Sequence, residues 1–495
     1  MPFKLKAIYR VAIAAISILA ATAAARTAEP IEIGSTFLTR GVEPTKGSNG
    51  WALVSHGVGE NLYTVDEKGA LVPQLASKAE RVDDMIWTIT LTKGKFFSDG
   101  SPVTAEALAA GFTKVFADNK AALATGGKLS FEATSNLEMK VVTEKPVPRI
   151  QALFAEWPLI AFKPTTDGAV FSGPYAVKSF KADTAVELAP NAYYAGAENR
   201  APVNIRKFGD AQAMTLALES GVLDLAFGLP SDAISRLKAN PDVTVKSFPV
   251  GYQYFAWLNT NRPALGDKKV RQALDLTFDR RELVAAINGG LPATGAYAPY
   301  FPFAGKDPRP TDLEKAAALL DEAGWVKGDD GIRYKNGKPL SVLALTYPQR
   351  PDLVTMLPVV KAELARVGIV VETKIVDNIM QALAGGDYDI ALWAQHTAPS
   401  GDPAFFLSSM LTTGASMNQA KYASEDFDAI VAKFASLSDA KKRNELALEA
   451  QAKLFEDVPI SFLVSPVWYV GMSKRLKNYQ PWGSDYHVLR ANIGE

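Results

Sequence analysis

No cysteine occurs anywhere in this chain, so its fold has no disulfide and no thiolate metal site to lean on. A cysteine nucleophile and lipid attachment through an N-terminal cysteine are excluded with them. Burial has to do the work, and the material is ample: 495 residues, 48% of them hydrophobic, with 24 Phe, 16 Tyr and 8 Trp. That length favours two or three domains over one. The start of the chain points to an oxidising compartment all the same. "MPFKLKAIYR" carries Lys4, Lys6 and Arg10, and "VAIAAISILAATAAA" leads to Ala23 and Ala25 just before Arg26. A charged start, a short apolar centre and a small-residue exit predict a cleavable secretory signal over residues 1–25. The other reading is an N-terminal anchor, but the run is shorter than the ~20 residues a span needs. A soluble, exported chain of this kind suits the periplasm of a Gram-negative bacterium.

Lys+Arg and Asp+Glu number 53 each, and no arginine-rich run or basic–aromatic alternation occurs. No field points to nucleic acid, and none is expected as a partner. Strand and helix patterns mix all along the chain. "IEIGSTFL" (31–38) alternates as a strand does, and "MIWTITLTKGKFFSDG" (85–100) reads as a strand followed by a turn at Asp99-Gly100. "TAEALAAGFTKVFADN" (104–119) predicts a helix capped by Thr104. "MTLALESGVLDLAFGLP" (214–230) reads as a helix ended by Gly221, then a buried strand. "KKVRQALDLTFDRRELVAAINGG" (268–290) reads as helical with two glycines at its exit. In "TDLEKAAALLDEAGW" (311–325), Thr311 and Glu314 have capping-box spacing. "RYKNGKPLSVLALTY" (333–347) reads as a hairpin turning on Asn336-Gly337. The fold class that follows is α/β, with helix-covered sheets in more than one lobe.

Catalytic patterns fail one by one. There is no G-x-S-x-G elbow. "GIRYKNGKP" has five residues between Gly331 and Gly337 and puts Pro339 where a phosphate loop needs Ser or Thr. "GVGENL" lacks the third glycine of a dinucleotide loop. His56, His396 and His487 lie far apart in sequence, without the i,i+4 pairing of a helix-borne zinc site. Asp387 and Asp389 in "GDYDIALW" read as turn and edge carboxylates more readily than as an acid–base pair. One stretch keeps a chemical question open: "LWAQHTAPSGDPAFFLSSM" (392–410) sets His396 six residues before Asp402, which can serve a catalyst, a metal site or a binding pocket.

The segment "LVPQLASKAERVDDMIWTITLTKGKFFSDGSPVTAEAL" (71–108) resembles the signature of the large solute-binding proteins of bacterial peptide and nickel ABC importers. The likeness continues in order through "FSGPYAVKSF" (171–180), "LAPNAYYAG" (188–196), "LALESGVLDLAFG" (216–228), "WLNTNRPALGDKKVRQALDLTFDRREL" (257–283), "KAAALLDEAGW" (315–325) and "GDYDIALW" (386–393). The resemblance implies a two-lobed periplasmic-binding-protein fold (type II, large peptide/nickel-binding class) that shuts on its ligand, with an extra subdomain inserted in the first lobe. Lobe 1 would comprise 26–250 plus 471–495, the inserted subdomain about 50–165, and lobe 2 251–470. It also implies a monomeric periplasmic receptor, not an enzyme and without a cofactor of its own, that hands a small polar ligand to ABC permease subunits at the inner membrane. The reading from another class, a secreted hydrolase of peptides or related amides, rests on the His396/Asp402 loop alone.

In that family the loop after the "GDYDIALW" strand faces the cleft. Peptide binders place there, three residues before the acid-Pro pair, an aspartate for the peptide's α-ammonium; aligned on Asp402-Pro403, that position is Pro399. "APSGDPAFFLSSM" looks more like the loop of nickel-uptake members. By that likeness His396 takes the place of an aromatic side chain, Trp157 falls near a chelator-binding arginine, and Met417 or Ser416 falls near a metal-touching histidine. The ligand expected is therefore a chelated metal such as nickel, or a short peptide. The ligand-binding candidates are Trp51, Trp157, Tyr252, Tyr254, Met380, His396, Asp402 and Met417. No direct metal ligand is expected, with His396 the one side chain able to touch an ion.

Overall fold

The computed structural model describes residues 29–66, 71–480 and 485–494. The expected secretory signal lies outside the described residues. No described helix is long and apolar enough to cross a membrane.

Among the described residues two large sheets organise the chain. The first has seven strands in the spatial order Tyr175–Lys181, Ala185–Pro190, Val203–Lys207, Ile31–Ser35, Leu225–Phe227, Val467–Ser473 and Val243–Pro249. Ile31–Ser35 runs parallel to both of its neighbours, and the flanking pairs are antiparallel. The second sheet has six strands, ordered Leu291–Pro292, Ile460–Ser465, Tyr252–Leu258, Ile390–His396, Ser341–Thr346 and Val370–Ile375. Its central strand, Tyr252–Leu258, is buried at all seven positions. It reads as a continuous apolar run because helices and neighbouring layers cover both faces.

A four-stranded antiparallel sheet, Ala76–Arg81, Ile86–Leu91, Glu138–Thr143 and Leu129–Ala133, carries the helix Ala105–Asp118 and falls within the stretch expected as an insertion. Thr104 caps that helix as expected, accepting the Ala107 N–H at 3.3 Å.

The chain passes between the two large sheets at Val250–Gly251, joining Val243–Pro249 to Tyr252–Leu258, and at Pro466, joining Ile460–Ser465 to Val467–Ser473. The expected change at 470/471 falls inside the last of these strands. Its seven residues pair along Val243–Pro249, which puts the passage at 466.

Two local expectations change in detail. The stretch 268–290 is two helices, Lys268–Thr277 and Arg280–Ala286. Asp279 caps the second, accepting from Arg281 and Glu282 N–H, while the Arg280 guanidinium turns into the core to hold Asp275 and the Phe462 carbonyl. The helix Leu313–Glu322 is capped by Asp312, which accepts the Lys315 N–H at 2.9 Å; Thr311 instead donates its hydroxyl to the Phe278 carbonyl. The Asn336-Gly337 hairpin forms, with both residues at positive φ (53° and 75°) as a type I′ turn requires. Asp387 and Asp389 both hold Arg262, at 3.1 and 3.0 Å, and are structural.

Candidate functional site

The second sheet delivers its strand ends to the first along the line of the two passages. Tyr252 opens one central strand and His396 closes the next, and the two pair directly in register. A first, narrow cavity lies beside the passages, lined by Thr36, Phe37 and Phe227 from the first sheet's side and by Tyr254, Arg350 and Asp352 from the second's. A second is lined by Asn61, Ala155 and Trp157 on one wall, His396 and Pro399 on the other, and Tyr486 and His487 from the C-terminal return. Rings link the two: Phe37 stacks on Trp51 at 4.7 Å, and Trp51 meets the edge of Tyr486 at 6.4 Å.

Between the cavities the walls are tied by a buried polar network. Arg350, on the second sheet's side, pairs with Asp485 of the C-terminal return, and Tyr252 donates its hydroxyl to the same carboxylate at 2.6 Å. The Arg350 guanidinium also lies over the rings of Trp468 (4.8 Å) and Tyr252 (5.1 Å). Tyr254 donates to Asp352 at 2.9 Å and accepts the Trp468 indole N–H at 2.7 Å. Burial pushes the Asp352 carboxyl up to about 6 despite that hydrogen bond. Further out, Arg149 reaches Asp402 at 3.2 Å, and the Ser400 hydroxyl donates to Glu156 at 2.6 Å.

His396 stands edge-on to Tyr252 (5.4 Å) and Tyr486 (5.3 Å). Burial lowers its imidazole to about 3, with His487 adding to the effect, and burial does the same to His487. Both rings are neutral at physiological pH, and His396 Nδ1 has no hydrogen-bond partner among the described residues.

The candidates predicted from sequence separate into groups. Trp157 and His396 line the second cavity, and Tyr254 lines the first. Tyr252 and Trp51 stand one layer behind, against His396 and Tyr486. Asp402 is no ligand group: Arg443 grips it through two hydrogen bonds (3.0 and 2.6 Å), Arg149 adds a third, and the Ala404 N–H a fourth. Met380 is corrected as well. Its helix, Ile379–Gly385, buries Ile379 and Leu383, and this i,i+4 face leaves Met380 more than half exposed, lining neither cavity. Met417 packs half-buried against the core and also lines neither.

Reading the sequence missed His487, Tyr486, Glu156, Arg350 and Asp485. The "DYHVLR" return (485–490) carries a histidine and an acid, but nothing local shows that the return meets a loop ninety residues earlier.

Two sheets joined by short passages, with polar ties and a ring-lined space between them, define a protein that clasps a small molecule. The chain belongs to the bacterial extracellular solute-binding proteins, family 5, whose description ("family 5 Middle") fits residues 70–418. It is 28% identical to the oligopeptide-binding protein AppA of Bacillus subtilis over 335 residues, covering 64% of this chain and 60% of AppA's length. It is 23% identical to the nickel-binding protein NikA of Staphylococcus aureus over 442 residues, 86% of this chain and 87% of that one. The solved structure of S. aureus NikA with Ni(L-His)2 superposes with a TM-score of 0.85 at 20% identity, covering 94% of this chain and 99% of that one. The fold is therefore the two-lobed α/β binding-protein fold expected from sequence. Proteins of this family are binding proteins, and these relatives give the hydrolase alternative no support.

Proposed function

We propose that this chain is the periplasmic receptor of an ABC importer and that its cleft captures a chelated divalent metal, such as a nickel–amino acid complex. One observation carries the choice of ligand. His396 and His487, from opposite sides of the cleft, bring two neutral imidazoles to one cavity that Trp157 and Tyr486 wall with rings. Imidazole suits nickel, and two of them leave the ion's other positions to a small chelator. Neither side alone presents both groups, so binding favours the closed arrangement and tells bound from free receptor at the inner-membrane permease. The receptor acts as a monomer and needs no cofactor, since the metal is cargo.

Calorimetry with Ni(II) in excess L-histidine, with Ni(II) alone and with L-histidine alone tests this. The mixed complex is expected to bind most tightly, and His396→Ala and His487→Ala each to weaken it about tenfold or more. Binding of L-alanyl-L-alanine without metal, unchanged in both variants, would overturn it in favour of a peptide. A short peptide is the second reading, supported by the acceptors on the wall opposite His396 (Glu156 and Asn61) and by the resemblance to AppA.

A further inference from the structure

Three buried polar atoms on or beside the second cavity have no hydrogen-bond partner among the described residues: Glu156 Oε2, Asn61 Oδ1 and His396 Nδ1. Asn61 and His396 line the cavity, and Glu156 sits between two residues that do, Ala155 and Trp157. The Asn61 amide is oriented by its own N–H, which donates to the Glu156 carbonyl at 3.2 Å and leaves Oδ1 as the acceptor. Native proteins seldom leave buried polar atoms unsatisfied, and a cluster of them around one space describes what is meant to enter it. The charge balance points the same way. Glu156 is held by the Ser400 hydroxyl through Oε1, and the groups around it are Ser400, Asp402, Tyr486 and the backbone-bound Asn61. Asp402 is already neutralised by Arg443 and Arg149, and among the described residues no ion pair reaches Glu156. Burial accordingly raises the Glu156 carboxyl well above its ordinary range, with the Asp402 charge adding to it.

We propose that Glu156, with Asn61, makes the cleft selective for ligands that present a primary amine, its Oε2 taking an N–H from an ammonium or a metal-bound amino group. Such a donor provides both the missing hydrogen bond and the missing positive charge. The side chain then remains the carboxylate it is in water, and closure over an amine-bearing ligand is favoured over closure without one. The position is notable for its wall. The carboxyl comes from the side opposite the loop of Pro399, and its partner Ser400 is the next residue along.

This inference rests on the reading that the cleft takes a small chelate or peptide, and the test separates the two. Affinity is measured by calorimetry for Ni(II)–L-histidine and for Ni(II)–Nα,Nα-dimethyl-L-histidine, which keeps the metal donors and lacks the amine N–H. Wild-type protein is expected to prefer the first by tenfold or more. Glu156→Gln, which retains size and the Ser400 contact, is expected to bind the first at least tenfold more weakly and the second within twofold of wild type. Ser400→Ala, which leaves the carboxyl in place, should keep the preference. Equal losses for both complexes in Glu156→Gln, or no loss for either, would overturn the inference while leaving the chelate reading intact. If wild type binds neither complex, the chelate reading falls. L-alanyl-L-alanine against its N-acetyl form then puts the same question to Glu156, and binding of neither overturns both.

Discussion

Asp402 stands where a loop carboxylate in a cleft would be taken for a ligand group, yet all its acceptor positions are used inside the protein. Its work is to anchor the loop and to neutralise the buried Arg443, which also holds the Phe434 and Leu437 carbonyls. Asp402→Ala strands that guanidinium and is expected to cost about 3–5 kcal/mol of stability, read by urea unfolding. Arg149 is a third exposed and spans the cleft, so Arg149→Met should cost under about 1 kcal/mol. Equal losses in the two variants would contradict this division. Met380→Glu, on an outward helix face, should leave ligand affinity within twofold of wild type by calorimetry. These residues show where sequence reasoning reaches. The likeness to nickel-uptake members singled out Trp157 and His396, which line opposite walls of one cavity. Whether Asp402 met water, ligand or arginine depended on Arg443, forty-one residues on, which no local pattern reveals.

The elements that aim the site are the paired strands Tyr252–Leu258 and Ile390–His396, and their entry is constrained at Gly251. A side chain there would overlap the His396 ring and press on the Tyr300 hydroxyl. Gly251→Ala is therefore expected to displace the imidazole and weaken Ni(II)–L-histidine binding about tenfold, while changing the far-UV circular dichroism little. An unchanged affinity would show that His396 does not need its present position. Most elements were legible because local chemistry decides them: Thr104 as a cap, the Asn336-Gly337 turn, the alternation in Ile31–Ser35 and Ile86–Leu91. The break at Phe278–Asp279 was not. The run 268–290 has unbroken helical periodicity, and the chain is interrupted because Arg280 is drawn inward by Asp275 and Ser461, a tertiary attraction. The order of strands in the two sheets was not legible, since Val467–Ser473 pairs with segments more than two hundred residues away.

At the scale of the whole molecule, burial of titratable groups sets how stability follows pH. His56, His396 and His487 are all held near 3, each by burial first. Depressed histidines stabilise the fold above about pH 6.5, and that contribution is lost as pH falls below it, at ~1.4 kcal/mol per unit for each proton. Raised carboxyls act with the opposite sign. Burial lifts Glu60 and Glu156, Asp352 to about 6 and Glu363 to about 8, so their contribution is present below the ordinary carboxyl range and is lost as pH rises through the folded values. Between about pH 4.5 and 6.5 the two sets oppose each other, and stability should change little. Below about 4.5 the unfolded carboxyls protonate too, the histidines remain unopposed, and stability should fall steeply. From 6.5 to 8 the histidines are silent while Glu363, held near 8, is still losing its contribution, so stability should decline with rising pH. Glu363 sits on the helix Pro351–Arg366 with one oxygen on the Asp279 N–H at 3.1 Å, a bond that glutamine can keep. Glu363→Gln is thus expected to add roughly 2–4 kcal/mol at pH 8 and almost nothing at pH 5, flattening the alkaline limb of a urea-unfolding series. A gain of equal size at both pH values would mean that packing, and not the ionisation of a buried acid, limits the fold at that position.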